Sequence, residues 1–251
     1  MTGKLPITKF GITTNGLVLK RKLGMLRDAG VNMLNISLDT LTPSKFTKIT
    51  RRRGFERVLS AIDAALAMKC FEVKVNCVVM RGFNDDELHD FALYSKERDL
   101  EVRFIEYMPF DKNEWEMNKM VSYLEMISRL RDELPSGIER LPTQCHETSK
   151  VYRVDGHEGR LGFISSMTEN FCSSCNRLRL TADGKIKVCL FGGEEDEVSL
   201  REALRSGMDE EALMAIAEDA LWQKKWALGG HGHAESIATA AGNRPMILIG
   251  G

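Results

Sequence analysis

Over the first hundred residues, short apolar stretches rich in β-branched side chains alternate with longer stretches of helical periodicity, and this alternation restricts the possible fold most. Residues 7–12, 31–36, 73–80 and 102–107 read as strands; residues 17–29, 55–66 and 85–98 read as helices. Phe55, Val58, Leu59, Ile62, Ala65 and Leu66 recur at the spacing of one helix face. Strands separated by helices pair in parallel through right-handed crossovers, so the expected class is α/β.

Polar residues gather at or near the carboxyl ends of these strands: Thr13, Thr14 and Asn15, then Ser37 and Asp39, then Asn76 and Arg81, then Arg103, Glu106 and Met108. Parallel α/β folds bind ligands at that face, because loops and exposed backbone groups converge there. Any one of these residues suits a turn or cap; four successive strands ending this way point to a pocket. Lys74 lies inside an apolar strand, which is costly for an ammonium group without a partner.

After Pro109 the texture changes. Residues 119–134 read as a helix, 151–154 and 162–166 as short strands, 178–180 and 185–189 as a hairpin, and 197–205 and 209–225 as surface helices. Within this half, Cys172, Cys175 and Cys189 are spaced Cys-x2-Cys-x13-Cys, with Arg177 and Arg179 close by. Two thiolates two residues apart can grip one metal centre, and a third can close on it after a turn. Three ligands leave one position open for chemistry or substrate, and two adjacent guanidinium groups suit an anionic ligand such as phosphate. From spacing alone three readings stay open. One is an open iron–sulfur or zinc site. Another is a closed zinc site with Cys145, His146, His157, His231 or His233 as fourth ligand, and the third is plain buried thiols.

Lys and Arg number 35 against 36 Asp and Glu, so there is no overall field to draw nucleic acid, and any affinity for anions must be local. The basic run Arg51-Arg52-Arg53 reads as a solvated loop. No run approaches the roughly eighteen apolar residues of a membrane-spanning helix. The first residues carry neither an apolar signal stretch nor an Arg- and Ser-rich helix. Six cysteines with high charge fit a reducing compartment better than a disulfide framework.

Several segments together resemble one family: residues 13–16 (TTNG), 35–39 (NISLD), 74–79 (KVNCVV), 103–108 (RFIEYM), the cysteine segment from Phe171 to Arg179 with Cys189, and the final Gly250-Gly251. That family is the radical S-adenosylmethionine GTP 3′,8-cyclases of molybdenum cofactor biosynthesis. The resemblance runs from about Thr8 to Gly251 and is most specific over residues 172–191. It implies a fragment of an incomplete (βα) barrel over residues 1–110. Residues 111–251 would then be a carboxyl-terminal region that holds a second cluster site, ends in the Gly-Gly tail and completes the barrel. It further implies conversion of GTP to (8S)-3′,8-cyclo-7,8-dihydroguanosine 5′-triphosphate by a radical mechanism.

Carried over residue by residue, the resemblance makes Cys172, Cys175 and Cys189 the ligands of one [4Fe-4S] cluster whose open iron ligates guanine. Arg177, Leu178 and Arg179 would hold GTP, with Lys74 on its phosphates and Thr13 nearby. Ser37, Asn76 and the backbone of Met108 would hold S-adenosylmethionine. Arg103, Gly250 and Gly251 correspond to further active-site positions, and no residue receives a proton-transfer or nucleophilic role. The implied partners are GTP, a second copy of the chain and the next enzyme of the pathway, cyclic pyranopterin monophosphate synthase. Residues 74–80 and 103–110 look most like eukaryotic members, which act in the mitochondrial matrix; a bacterial member would be cytoplasmic.

One departure is large. The family's amino-terminal Cys-x3-Cys-x2-Cys, whose cluster cleaves S-adenosylmethionine, does not occur in these 251 residues, so the chain is expected to be truncated and inactive alone. Two other function classes compete with the enzyme. A zinc-stapled interaction module fits the cysteines; a carrier activated at its Gly-Gly terminus does not fit the βαβ opening, because such carriers are short β-grasp domains.

Overall fold

The computed structural model describes residues 7–144, 147–181 and 183–249, so Cys145, His146, Gly250 and Gly251 lie outside the described residues. By their contacts the residues fall into two compact units that interleave along the chain, whereas the sequence reading divides it once, at residue 110. The first runs through Glu106 and takes in Val121–Thr143 and Ser149–Ile164; the second holds Tyr107–Met120, Gln144–Thr148 and the chain from Ser165 onward.

The first unit contains, in chain order, β1 (Gly11–Thr14), α1 (Leu23–Asp28), β2 (Met33–Ser37), α2 (Pro43–Thr50), α3 (Phe55–Ala67), β3 (Glu72–Val79), α4 (Leu88–Tyr94), β4 (Glu101–Glu106), α5 (Tyr123–Glu133), β5 (Ile138–Arg140), β6 (Lys150–Val154) and β7 (Arg160–Ile164). The described strands form one sheet in the order β1-β2-β3-β4-β7-β6-β5, parallel from β1 to β7 and antiparallel across β7-β6-β5. The expected α/β class and its run of parallel (βα) units are therefore present.

Alternation along the strands gives the sheet two different faces. Leu34, Ile36, Val73, Val75, Cys77, Val79, Val102, Phe104, Leu161 and Phe163 point to one face and are buried in the unit's core. Helices cover that core with the stripes the sequence displays: Val58, Ala61, Ile62 and Ala65 on α3, and Tyr123, Met126, Ile127 and Leu130 on α5. Ser122 caps α5 by accepting from the Glu125 N–H, and Pro43 opens α2 where a missing N–H costs nothing.

Some boundaries differ from the sequence reading. The first strand is Gly11–Thr14 rather than residues 7–12; Ile7 and Phe10 are exposed, and Phe10 instead exchanges hydrogen bonds with Asn32. The helix expected over 17–29 is a 3-10 turn at Leu19–Arg21 followed by α1. The helix expected over 85–98 begins only at Leu88, because Asn84 and Asp85 turn back to accept from the Met80 and Gly82 N–H groups.

The second unit contains β8 (Arg179–Leu180), β9 (Lys185–Lys187), β10 (Glu197–Ser199), α6 (Leu200–Arg205), α7 (Glu210–Trp222), α8 (Ala234–Ala238) and α9 (Met246–Ile249). The hairpin is present as β8-β9, with Arg179 opposite Lys187, and β10 adds to the far side of β9. Residues 197–199 thus form a strand where a helix was expected, and Ser199 caps α6.

Phe163 is fully buried and its ring meets those of Phe104, Tyr123 and Tyr152 at centroid distances of 5.5, 5.5 and 5.3 Å. Phe163→Ala should lower the unfolding free energy by about 3–5 kcal/mol in denaturant titration. Leu124→Ala, on the exposed side of α5, should change it by less than about 0.5 kcal/mol.

Candidate functional site

The face of the sheet opposite the core is polar, and strand register explains why. Thr13 pairs with Asn35, Asn35 with Lys74, and Lys74 with Glu101; Ser37 pairs with Asn76, Asn76 with Arg103, and Arg103 with Gly162. Partners in register share a face, so Thr13, Ser37, Lys74, Asn76 and Arg103, all singled out from sequence, lie on the same side. Arg103 donates from Nε to Glu101 at 2.7 Å and from Nη1 to Asn35 at 3.4 Å, and Glu101 also accepts from Ser149 at 3.1 Å. Gly162 makes this packing possible: a Cβ there would stand 2.2 Å from the Ser149 hydroxyl and 2.7 Å from the Glu101 carboxylate.

Lys74 is a correction to the sequence argument. It is buried, but Glu72 on the same face supplies its counter-charge at 2.6 Å, so burial alone does not demand a ligand. Burial of the Glu72 carboxyl opposes ionisation, yet Lys74, Lys9 and Arg103 hold its pKa below the usual range. Asn76 differs. Its buried Oδ1 accepts no hydrogen bond, which leaves a carbonyl oxygen free for a donor on this face.

Other polar residues at the strand ends serve the fold. Asp39 accepts from the Val78 N–H at 2.9 Å, while its own carbonyl accepts from Asn84 and the Cys77 thiol. Burial pushes the Asp39 carboxyl up to about 6, with the Val78 N–H opposing. Glu106 is fully buried and accepts from the Tyr123 N–H, and Arg81 pairs with Glu125.

In the second unit, Cys172 opens a 3-10 turn that ends at Ser174, Cys175 follows it, and Cys189 lies just beyond β9. The hairpin brings the latter two to the same open end, and Cys172 feels the charges of both other thiols. Around the sulfurs stand hydrogen-bond donors. The Leu228 N–H reaches Cys172 Sγ at 3.3 Å; Lys224 Nζ and Arg177 Nη2 reach Cys175 Sγ at 3.2 and 3.5 Å. The two thiols respond differently. Burial raises Cys172, with Leu228 only partly offsetting it. For Cys175 burial is outweighed by the backbone and guanidinium of Arg177 and by Lys224, which bring it down to about 7.

Arg177 lies over the Phe171 ring at 4.7 Å, and its buried Nε has no partner. Burial, then the nearby charge of Arg177, pushes the Arg179 guanidinium below its usual pKa. Among the described residues neither arginine pairs with a carboxylate; Leu178 between them is exposed. An apolar shell of Phe191, Leu228 and Ile237, with Met108, Phe110 and Met167, packs against Cys172 and Cys189. The Met108 carbonyl accepts from Asn113 Nδ2 at 2.7 Å.

Among the described residues no group of three or more His, Cys, Asp or Glu side chains is gathered to hold a metal ion. Three thiolates on one tetrahedral ion stand about 3.8 Å apart, from bonds of about 2.3 Å. Cysteines on separate irons of a cluster stand farther apart, so this grouping does not count against a cluster. The donor set suits bound, negatively charged sulfur: thiols with N–H, guanidinium and ammonium donors aimed at them.

The molybdenum cofactor synthesis C family model matches residues 100–229, and the radical SAM superfamily model matches residues 2–94. GTP 3′,8-cyclase of Streptomyces coelicolor is 39% identical over 247 residues, covering 98% of this chain and 71% of that protein. The chain belongs to the GTP 3′,8-cyclase family of molybdenum cofactor biosynthesis. Mitochondrial GTP 3′,8-cyclase of Arabidopsis thaliana is 51% identical over 245 residues, covering 98% of the chain and 61% of that protein. Molybdenum cofactor biosynthesis protein 1 of mouse is 52% identical over 240 residues, covering 96% of the chain and 37% of that protein. The chain thus spans between about a third and two thirds of these two eukaryotic relatives. The radical SAM family in general uses a [4Fe-4S] cluster and S-adenosylmethionine.

Within this GTP 3′,8-cyclase family chain, sequence reasoning missed Lys224 and the Leu228 backbone. A lone lysine after a surface-type helix carries no motif, and a backbone N–H carries none at all. His233, weighed as a metal ligand, caps α8 by accepting from Ser236, and Glu235 lies 3.1 Å from its Nδ1. His157 belongs to the first unit, 3.5 Å from the Ser95 hydroxyl.

Two pH-dependent outcomes follow. In the metal-free chain, iodoacetamide should modify Cys175 faster than Cys172 at neutral pH, its rate rising through about pH 7, since the thiolate is the nucleophile. Equal rates, read by peptide mass spectrometry, would refute the asymmetry. Asp39 keeps its proton to about pH 6 when folded but releases it near 4 when unfolded, so the folded state binds more protons in that window. Stability relative to Asp39→Asn should therefore fall by about 1–3 kcal/mol as pH rises from 4 to 6, and parallel stability curves would count against it.

Proposed function

We propose that the whole protein is a GTP 3′,8-cyclase acting in the mitochondrial matrix, and that this chain carries its GTP-ligating cluster and part of its S-adenosylmethionine pocket. The observation that supports this most is the set of cationic and N–H donors around Cys172 and Cys175, with two arginines beside them that pair with no carboxylate among the described residues. In the second unit, Cys172, Cys175 and Cys189 would hold one [4Fe-4S] cluster, which when bound supplies an open iron that can ligate the guanine of GTP. Arg177 and Arg179 bind and orient the nucleotide through charge-assisted hydrogen bonds, Leu178 lies between them, and the Phe110–Phe191 stack at 6.0 Å helps exclude water.

On the polar face of the first unit, Asn76 Oδ1 and the Ser37 hydroxyl offer an acceptor and a donor for S-adenosylmethionine. At neutral pH the methionine part of that cofactor carries two positive groups, sulfonium and ammonium, against one carboxylate, so an unpaired acceptor such as Asn76 Oδ1 suits it. Met108 would contribute through its backbone. Lys74 and Thr13 would serve the substrate, with Glu72 holding Lys74 in place, and Arg103 is fixed by Glu101 and Asn35. Gly250 and Gly251 belong to this proposal by family position. A homodimer and handover to cyclic pyranopterin monophosphate synthase complete it. Turnover is a property proposed for the whole protein.

Anaerobic reconstitution should load about four irons and four sulfides on Cys172, Cys175 and Cys189, and serine at any of them should abolish loading. A colourless protein with one tightly held zinc would refute the cluster. GTP should bind the loaded chain, and Arg179→Ala should weaken binding by about 1.5–3 kcal/mol in calorimetry. Unchanged affinity would remove Arg179 from the nucleotide site.

A further inference from the structure

One short segment, residues 224–230, reaches two of the three cysteines. Lys224 follows the end of α7, and the Gln223 and Lys224 N–H groups donate back to the Ala220 and Leu221 carbonyls, so its backbone is fixed by the helix. Its ammonium group has three protons, and three acceptors receive them: the Cys175 carbonyl at 2.6 Å, Cys175 Sγ at 3.2 Å and the Arg177 carbonyl at 3.4 Å. No carboxylate pairs with Lys224 among the described residues, so the sulfur is its counter-charge. Four residues on, the backbone N–H of Leu228 donates to Cys172 Sγ.

The backbone that presents this N–H is bent. Leu228 has φ 46°, followed by Gly229 at 68° and Gly230 at 92°. A left-handed leucine is uncommon, and such strain persists only where its surroundings enforce it. Gly229 lies so close to the Phe191–Gly192 backbone that a Cβ would come within 2.8 Å of it. The bend therefore seats the segment against the stretch that follows Cys189 while aiming Leu228 at Cys172.

We propose that the Lys224 ammonium group and the Leu228 N–H, set by the turn at residues 228–230, form an outer-sphere clamp on the cluster site, with Lys224 as a positioning residue that secures the cluster and raises its reduction potential. This rests on the reading of Cys172, Cys175 and Cys189 as cluster ligands. Reduction adds negative charge to the cluster and its thiolates, and a fixed ammonium group hydrogen-bonded to one sulfur favours that state. The same ammonium ties the Cys175 and Arg177 carbonyls together, so the ligand loop keeps its shape when iron is challenged.

The test uses the anaerobically reconstituted chain and the variants Lys224→Met, Lys224→Arg and Cys175→Ser, with Lys225→Met as the exposed neighbour control. Lys224→Met should lose iron to excess bathophenanthroline about 10–100 times faster than the parent. Its midpoint potential by spectroelectrochemistry should be lower, Lys224→Arg should recover most of both changes, and Lys225→Met should match the parent. Parent-like iron loss and potential in Lys224→Met, with the cluster lost in Cys175→Ser, would overturn the clamp while leaving the cluster ligands intact. A cluster retained in Cys175→Ser would overturn the ligand reading and the clamp with it. A measurement on the unsubstituted chain decides the matter should Lys224→Met fail to fold. Pulsed paramagnetic resonance of the reduced cluster in protein labelled with ζ-15N lysine should show a nitrogen coupling, and its absence would overturn the proposal.

Discussion

The parallel sheet has two chemically opposite faces, and the placement of the first unit's candidate residues depends on that. Period-two alternation in β2, β3 and β4 sends Leu34, Ile36, Val73, Val75, Val102 and Phe104 into the core and forces Asn35, Ser37, Lys74, Asn76 and Arg103 to the other side. A slip of one residue in any strand would bury the polar set and expose the apolar one, so the register that packs the core also assembles the polar face. Charges on that face are mostly matched: Glu72 answers Lys74, and Glu101 answers Arg103. Asn76 is left over. The face is thus a preorganised polar surface with an unused acceptor on it rather than a collection of unpaired charges.

The cysteine segment obeys different rules. Its regular structure is one turn of 3-10 helix and a two-residue strand, too little backbone pairing to fix three sulfurs. Side chains and loop backbone do that instead: Lys224 clips the Cys175–Arg177 carbonyls, Leu228 reaches Cys172, and Phe191, Leu228 and Ile237 pack around them. A site held this way is sensitive to substitutions distant in sequence, because Lys224 lies 49 residues from Cys175.

Legibility in the sequence follows the same division. α3 is plain from its periodicity and β3 from its β-branched run, and in the structure α5 buries one stripe, Tyr123, Met126, Ile127 and Leu130. The strand-end residues Thr13, Ser37, Asn76 and Arg103 do share one face, and the cysteine spacing marks the loop where hydrogen-bond donors gather around sulfur. Contacts between elements far apart in sequence were invisible: Glu72 as the partner of Lys74 needed the strand's true start, and Lys224 needed the path of α7. Short elements fixed by side-chain turns also escaped. The Asn84 and Asp85 turns delay α4, and Glu197–Ser199 pair as a strand where the helix expected over 197–205 would have begun.

The second unit also sorts its cations, and this accounts for the charge left at the cysteines. Glu197 is buried among Lys185, Lys187 and Arg244, with Asp183 as a second acid on Arg244. Lys187 is itself buried and also donates to the Gly192 carbonyl, three residues beyond Cys189. Removing one partner of such a buried pair costs about 3–5 kcal/mol, since a charge is left without compensation. Glu197, through Lys187, thus helps hold the loop after Cys189. Arg177 and Lys224 reach the Cys175 sulfur, Lys224 also reaches backbone carbonyls, and among the described residues no carboxylate pairs with Arg177, Arg179 or Lys224, so the positive charge at the triad is left for the thiols and what they bind. A carboxylate introduced beside Arg179 would satisfy the arginine and compete with an anionic ligand, whereas Glu197 lies on β10, across β9 from Arg179, where it serves the scaffold.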